Sequence, residues 1–377
     1  MRNNFSQFLA GITGAVTFMT SFLSADPAVS SSASSEGVSS ISQRTVENQP
    51  RGKSASTYLK SPKTVGIYFT GEFLYWNGEL EGLDYVVRSK SPSGAASNLP
   101  FDIAPTMKDG KALYPDFGWD PGFRVGMGYH IPHDQWDIYL DWTRFQNDAS
   151  DSSHPPSGGS IDGTWLLTSF GSAATFASAH WKLDYDVLDL ELGRSYYLTK
   201  ALSARPFIGL RGVWIDQHYR TTYHGISVSR GFFLPAAITN IHLKMKNDYK
   251  AFGLRAGSDL DWAFNRHWSL IGEASVCLVY GFFDVSQRSS ISNPIAPFQI
   301  DSKEEFHTTK ANFEVAIGLQ WNAYFANDRY HLAIAGKYEF IEWFNQNQLT
   351  RFSGTYRYPA YGNLMLQGAT LSARFEF

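Results

Sequence analysis

The stretch Ala369-Thr370-Leu371-Ser372-Ala373-Arg374-Phe375-Glu376-Phe377 ends the chain with strict alternation of apolar and polar side chains. Successive side chains of a β-strand point to opposite faces, so one face here carries only Ala, Leu and Phe. An amphipathic helix would instead repeat its apolar residues every three or four positions. The stretch is therefore predicted to be a β-strand with one face suited to lipid and the other to water.

About nine further segments upstream alternate in the same way, and short and long connections follow one another between them. Each segment is long enough to cross a bilayer, which takes roughly 9 to 11 tilted residues. The pattern predicts an all-β fold, a transmembrane antiparallel up-and-down β-barrel of about ten strands, with twelve as the alternative. Long extracellular loops and short periplasmic turns are expected. A soluble β-sandwich also alternates, but its strands are usually shorter.

The predicted long connections span residues 81–116, 147–177, 218–247, 284–307 and 341–363. The third contains Phe232-Phe233-Leu234 and Ile238, which predict either a loop helix or an extra hairpin.

One segment, 178–193, changes the parity of its apolar residues. Its apolar residues are Trp181, Leu183, Tyr185 and Val187, followed by the even-numbered set Leu188, Leu190 and Leu192. If both sets face lipid, the strand must shift by one residue between them. We therefore expect a β-bulge near Val187.

The first part of the chain has the composition of an export signal followed by a linker. Arg2, the apolar stretch 8–22 and Leu23-Ser24-Ala25 predict a signal peptide over 1–25. Residues 26–63 are rich in Ser and Ala and are expected to be a disordered leader, because they have almost no large apolar groups to bury. The barrel is expected over 64–377.

Several blocks of sequence go beyond pattern and resemble a known family. They are Gly71-Glu72-Phe73-Leu74-Tyr75-Trp76, Trp119-Asp120-Pro121-Gly122-Phe123, Trp136-Asp137-Ile138-Tyr139-Leu140-Asp141-Trp142-Thr143, residues 181–194 and residues 205–212. Together they resemble the pore-forming, major-outer-membrane-protein-like proteins of Legionella and environmental chlamydiae. The resemblance implies a surface-exposed outer-membrane porin for ions and small hydrophilic solutes, with no catalytic residues and no cofactor.

Two details qualify that resemblance. The terminal Phe377, together with Phe375, is similar to the insertion signal of bacterial outer-membrane proteins, which implies the barrel-assembly machinery as a partner. Chlamydial major porins crosslink through many cysteines, whereas this chain has only Cys277. A crosslinked coat is therefore not expected. Outer-membrane lipid and lipopolysaccharide are further expected partners, and a homo-oligomer is left open as a further alternative.

The predicted inward positions carry charged side chains of both signs, which are the candidate pore-lining residues. The basic ones are Arg124, Lys182, Arg205, Arg211, Arg255, Lys337 and Arg374. The acidic ones are Glu72, Asp137, Asp141, Asp184, Asp186, Asp259, Asp261, Glu273, Glu314, Glu339 and Glu376. The acidic excess predicts a mild cation preference if the lumen is wet. Alternatively, these groups pair with one another and fill the interior, since barrels of about eight strands leave room only for side chains.

Two other classes of function are compatible with a barrel. A non-conducting structural or adhesin barrel would act through its extracellular loops. An outer-membrane protease would need an acid/base group at the extracellular rim, for which Asp148, Asp151 and His154 are the candidates. A lipase is disfavoured because the chain lacks a Gly-x-Ser-x-Gly elbow. We expect no enzyme, no metal site and, from a net charge of −3, no nucleic-acid partner.

Overall fold

A closed barrel of ten antiparallel strands forms the described part of the chain. The computed structural model describes residues 66–90, 109–132, 135–166, 173–228, 237–292, 297–327, 329–352 and 362–377. The barrel strands are β1 (Ile67–Leu80), β2 (Trp119–His130), β3 (Trp136–Ser153), β4 (Phe176–Arg194), β5 (Leu202–Val228), β6 (Ala237–Ala263), β7 (Trp268–Ser292), β8 (Phe298–Phe325), β9 (Tyr330–Asn347) and β10 (Gly362–Glu376). The predicted signal peptide and leader lie outside the described residues.

Each strand pairs with its successor in the chain, and the last strand returns to the first. β1 pairs with β10 from Tyr68 opposite Glu376 to Leu80 opposite Leu364. This pairing leaves no free edge in the membrane, which a spanning sheet requires because lipid cannot hydrogen-bond to backbone groups. The up-and-down barrel and the strand count of ten are confirmed. No helix in the described ranges is long and apolar enough to span a membrane.

The alternation of the last strand works as the sequence predicts. Leu371 is 58% exposed and Phe375 is 40% exposed on the outside, whereas Thr370 and Glu376 are buried inside. Two rings of aromatic residues bound the outward apolar band. The ring near the start of β1 and the end of β10 contains Phe69, Tyr129, Trp262, Trp268, Phe325, Tyr330 and Phe375. The other, called the upper girdle below, contains Tyr75, Trp119, Trp142, Trp214, Phe252, Tyr280 and Tyr338.

Such girdles mark the two interfaces of the membrane. The short turns, the start of β1 and the end of β10 lie on the periplasmic side. The strands β5 to β8 continue well beyond the upper girdle on the opposite, extracellular side. β5 and β6 pair as far as Val228 opposite Ala237, and β7 and β8 as far as Ile291 opposite Phe298. The predictions of long connections over 218–247 and 284–307 are therefore wrong. The outward residues of these segments are polar because the strands here are surrounded by water, and the strands continue through them. The Phe232-Phe233-Leu234 segment lies outside the described residues.

The predicted bulge near Val187 is also wrong. β4 keeps one register with both neighbours from Phe176 to Gly193, without a shift. Leu188, Leu190 and Leu192 face outward, while Trp181, Leu183, Tyr185 and Val187 are buried inside the barrel. At the level of Leu188 to Leu192, the apolar surrounding is the lipid outside the barrel. At the level of Trp181 to Val187, it is the interior of the barrel. Both surroundings select apolar residues, so the apolar set moves from one face of the strand to the other.

A small second sheet lies among the extracellular connections, and the alternation did not reveal it. Its four strands are Val86–Ser89, Lys111–Leu113, Ser160–Gly163 and Ala173–Ala174. Two other short strands, Asp116–Phe117 and Tyr196–Tyr197, extend the barrel sheet. A 3₁₀ helix covers Leu349–Phe352. With two to four residues each, these strands are too short to show periodicity.

Candidate functional site in the barrel interior

A layer of charged side chains fills the interior at the level of the membrane and surrounds a cavity of about 200 Å³. We call it the charged layer. Its acidic members are Glu72, Asp137, Asp141, Asp189, Glu191, Asp259, Asp261, Glu273, Glu314, Glu339 and Glu376. Its basic members are Arg124, Arg205, Arg211, Arg255, Lys337 and Arg374. Every strand of the barrel contributes at least one of them, so closure of the sheet assembles the layer.

The first half of the layer centres on Arg124 and Lys337. Arg124 places Nη1 2.5 Å from Glu72 Oε2 and Nη2 3.1 Å from Glu339 Oε2. Lys337 Nζ lies 3.1 Å from Glu72 Oε1 and 3.2 Å from Glu273 Oε1. Charges removed from bulk water are stable only when they are paired and hydrogen-bonded, and each base here meets more than one carboxylate.

The second half centres on three arginines of β5 and β6. Arg211 binds Asp189, with Nη2 2.5 Å from Oδ2, and also contacts Glu314. Arg255 Nη2 lies 2.9 Å from Oε2 of the same Glu314. Arg205 is held by three carboxylates: Asp137 at 2.5 Å, Asp259 at 2.8 Å and Glu191 at 3.0 Å.

The charge of the layer is not balanced. Eleven acidic groups face six basic ones, so the formal excess is five negative charges. Asp259 and Glu273 keep the most open carboxylates, with side chains 38% and 39% exposed. An unbalanced negative lumen attracts cations and repels anions.

Three of the predicted pore-lining residues lie on the wrong face for that role. Lys182, Asp184 and Asp186 share the outward face of β4 with Leu188. Asp186, for example, accepts a hydrogen bond of 3.2 Å from the outward Trp142 Nε1. The error follows from the predicted bulge, which inverted this half of the strand.

The same error hid Asp189 and Glu191, which the structure places in the charged layer. The signal was present in the sequence, because Leu188, Leu190 and Leu192 already assigned the residues between them to the interior. The other fifteen predicted pore-lining residues face inward: Glu72, Arg124, Asp137, Asp141, Arg205, Arg211, Arg255, Asp259, Asp261, Glu273, Glu314, Lys337, Glu339, Arg374 and Glu376.

An apolar layer follows on the extracellular side of the charged layer. It contains Leu74, Trp76, Phe145, Trp181, Leu183, Tyr185, Val213, Ile215, Tyr249, Val279, Phe283, Ile341, Trp343, Leu364 and Leu366. Trp76, Trp181 and Trp343 are each 0% exposed. Their ring nitrogens are satisfied internally, as Trp76 Nε1 donates to Thr370 Oγ1 at 3.1 Å. In this conformation the apolar layer closes the barrel above the charged layer.

The small sheet packs on top of the apolar layer. Tyrosines fix it to the part of β5 to β8 that extends above the upper girdle, which we call the tall wall. Tyr219 donates from its hydroxyl to Leu83 O at 2.8 Å, and Tyr223 to Tyr85 O at 2.7 Å. Tyr85 itself donates to Asp151 Oδ2 at 2.9 Å. Burial raises the pKa of Tyr85 above its ordinary value, so this hydroxyl stays a donor. These contacts bury the extracellular mouth.

The predicted acid/base group is not assembled. Asp148 and Asp151 point to opposite faces of β3, because they are three residues apart on one strand. Asp148 lies 3.4 Å from His180 Nε2, while His154 packs against Phe176. In the described ranges, no group of three or more His, Cys, Asp or Glu is arranged to hold a metal ion.

The closed barrel, the lipid-facing band and its girdles define an integral outer-membrane β-barrel protein. Comparison with family models then gives the family. Residues 62–377 match the family described as Legionella pneumophila major outer membrane protein precursor, and the chain belongs to it. The family and the barrel together point to the bacterial outer membrane.

Comparison with solved structures gives several weak matches. Outer membrane protease OmpT of Escherichia coli is 13% identical, with 85% of this chain and 99% of that chain covered and a TM-score of 0.35. A FadL homologue of Pseudomonas aeruginosa is 9% identical, with 82% and 89% covered and a TM-score of 0.26. The toluene transporter TodX of P. putida is 9% identical, with 84% and 91% covered and a TM-score of 0.25. Similarity this weak assigns no activity, and no curated protein matches the chain.

Proposed function

We propose that the chain is a narrow porin that lets ions and small hydrophilic solutes diffuse across the outer membrane, with a preference for cations. The observation that carries the proposal is the charged layer, with its cavity of about 200 Å³ and its excess of five carboxylates. In a barrel that served only as a wall, apolar residues in place of the buried ion pairs are often as stabilising or more so. The retained charges therefore favour a role in contact with water and ions.

The apolar layer sets the conductance. Ten strands leave little free width, and open aqueous channels belong to barrels of roughly sixteen to eighteen strands. Trp76 and Trp343 close the path in the described conformation, so conduction requires side chains of this layer to move. We expect small and brief openings.

Truncation of the apolar layer tests the proposal. In planar bilayers, Trp76→Ala combined with Trp343→Ala should raise the conductance above that of the wild type. A matched control, Trp119→Ala with Trp262→Ala, removes two outward tryptophans from the girdles and should leave the conductance unchanged. If the folded wild type and the inner variant are both silent, the porin proposal fails.

The second candidate is a structural or adhesin barrel, which the buried mouth favours. Tyr219 and Tyr223 hold the small sheet over the apolar layer, and loops supported in this way present a fixed outer surface. A silent but folded barrel in the experiment above would support this role. The separated Asp148, Asp151 and His154 give no support to a protease.

A further inference from the structure

The outward face of β4 to β8 carries charged residues above the upper girdle, in rows that run from strand to strand across the sheet. The first row is acidic, and each member lies directly opposite the next across neighbouring strands. It consists of Asp184, Asp216, Asp248, Asp284 and Glu305. Like charges in directly opposite positions destabilise a sheet unless counter-charges neutralise them.

The second row lies two residues further from the membrane and supplies those counter-charges. It consists of Lys182, His218, Lys246, Ser286 and Lys303. Lys182 Nζ lies 3.1 Å from Asp184 Oδ2, Lys246 binds Asp248, and Lys303 Nζ lies 3.4 Å from Asp284 Oδ2. The three lysines of the second row are therefore occupied by carboxylates of the first row.

The third row is basic again and has less internal compensation. His180, Arg220, Lys244 and Arg288 occupy successive strands, and Asp301 ends the row. Arg288 Nε pairs with Asp301 Oδ1 at 2.9 Å. The hydrogen bond from Arg288 lowers the pKa of Asp301, so this carboxylate stays ionised and occupied.

Arg220 and Lys244 are the two exposed members at the centre of the row. They lie directly opposite each other on β5 and β6, and no carboxylate lies within ion-pair distance of either in the described part of the chain. Two adjacent cations without an anion form a repulsive pair in the protein alone. An external anion that bridges them would remove that repulsion.

Their height identifies the kind of anion. Arg220 is six residues beyond Trp214 of the upper girdle on the same strand. At about 3.4 Å per residue and a tilt of about 45°, this places Arg220 roughly 15 Å above the girdle, outside the hydrocarbon but beside the polar part of the outer leaflet. The side chains face outward, so a solute inside the barrel does not reach them.

We propose that Arg220 and Lys244 bind the phosphate groups of lipopolysaccharide, on the saccharide part of this outer-leaflet glycolipid. An arginine offers a planar set of donors that matches phosphate oxygens, and the lysine adds a point charge beside it. His218 and Arg288 flank the pair on the same outward face. The site covers neighbouring strands on one side of the barrel, so it holds the lipid at a fixed position on the wall.

The test is binding of purified lipopolysaccharide to the refolded full-length barrel in detergent. Arg220→Ser combined with Lys244→Ser should weaken binding by about tenfold or more, because hydrogen bonds from charged groups are lost. The matched control Lys90→Ser with Lys111→Ser removes two exposed extracellular lysines elsewhere and should bind like the wild type. Arg220→Lys with Lys244→Arg should retain most of the affinity.

Two measurements on the wild type need no variant. Enzymatically dephosphorylated lipopolysaccharide should bind about tenfold or more weakly, and binding of the intact lipid should weaken as salt rises toward 1 M, where the screening length is about 3 Å. The proposal is overturned if the double Ser variant binds as tightly as its control. Equal binding of the dephosphorylated lipid, or binding that does not depend on salt, would also overturn it.

Discussion

Arg211 of β5 and Asp189 of β4 lie directly opposite each other inside the barrel, with Nη2 and Oδ2 2.5 Å apart. Their side chains are only 3% and 5% exposed. The same guanidinium also binds Glu314, which comes from β8, three strands further along the chain. One arginine thus connects distant parts of the wall at the centre of the charged layer.

Removal of this arginine should destabilise the barrel strongly. Arg211→Met would remove the nearest basic partner of Asp189 and leave this carboxylate close to Glu314 and Arg255. Breaking a buried pair costs about 3 to 5 kcal/mol. Urea unfolding in lipid vesicles measures the change. Arg144→Met is the control, because Arg144 is an outward residue of β3 that is 40% exposed, and we expect a change within about 0.5 kcal/mol. Equal stability of the two variants would contradict a central role for Arg211.

The small sheet should loosen when its tyrosine hydroxyls are removed. Tyr219→Phe with Tyr223→Phe leaves Leu83 O without its tyrosine donor and Tyr85 O with the bond from Thr164 N–H at 3.2 Å, and an unsatisfied buried acceptor costs about 1 to 3 kcal/mol. Hydrogen exchange over residues 83–89 should therefore become faster. Tyr280→Phe removes an outward hydroxyl of the upper girdle and should have no effect there. Unchanged exchange in the double variant would show that the hydroxyls do not fix the sheet.

Acid should release the 3₁₀ helix from the tall wall. Arg351 Nε donates to Glu304 Oε2 at 2.8 Å, and this bond lowers the pKa of Glu304 below its ordinary value. A lowered pKa in the folded state means that the contact stabilises the folded state at neutral pH. Its contribution is lost as the pH falls below about 4.3, the ordinary value for Glu, and through the lowered pKa.

Hydrogen exchange of residues 349–352 at neutral and acidic pH measures this release. Arg351→Met should show low protection at both pH values, measured against the intrinsic exchange rate at each pH, because its contact is already absent. Wild-type protection that is the same at pH 7 and pH 3 would exclude the Glu304 contact as its source.

The sequence predicts the barrel well because lipid imposes one rule on every strand. Leu371 and Phe375, for example, are apolar only because of the medium outside them, and no knowledge of neighbours is needed to place them. The rule stops where the medium changes. Above the girdle, water outside and an apolar layer inside reverse the pattern. The lipid rule therefore predicts connections over residues 218–247 and 284–307, where the strands in fact continue.

The charged layer was predicted in part for the same reason. Glu72 and Arg124 follow from the lipid-facing residues beside them, since the interior takes the alternate positions. The predicted bulge in β4 assigns Asp184 and Asp186 to the interior, whereas the structure places Asp189 and Glu191 there. The partners of each base could not be predicted, because Glu72 and Lys337 meet only when β1 and β9 come together through β10.

The reversal potential of single channels in a KCl gradient tests the negative lumen most directly. Asp259→Asn with Glu273→Gln removes the two most open carboxylates, while Arg205 keeps Asp137 and Glu191, and Lys337 keeps Glu72. Asp184→Asn with Asp186→Asn removes the same charge from the outward face. We predict cation preference in the wild type, a clear reduction in the inner variant and no change in the outer one. Silent folded channels, anion preference, or an equal effect of both variants would contradict a cation-selective lumen.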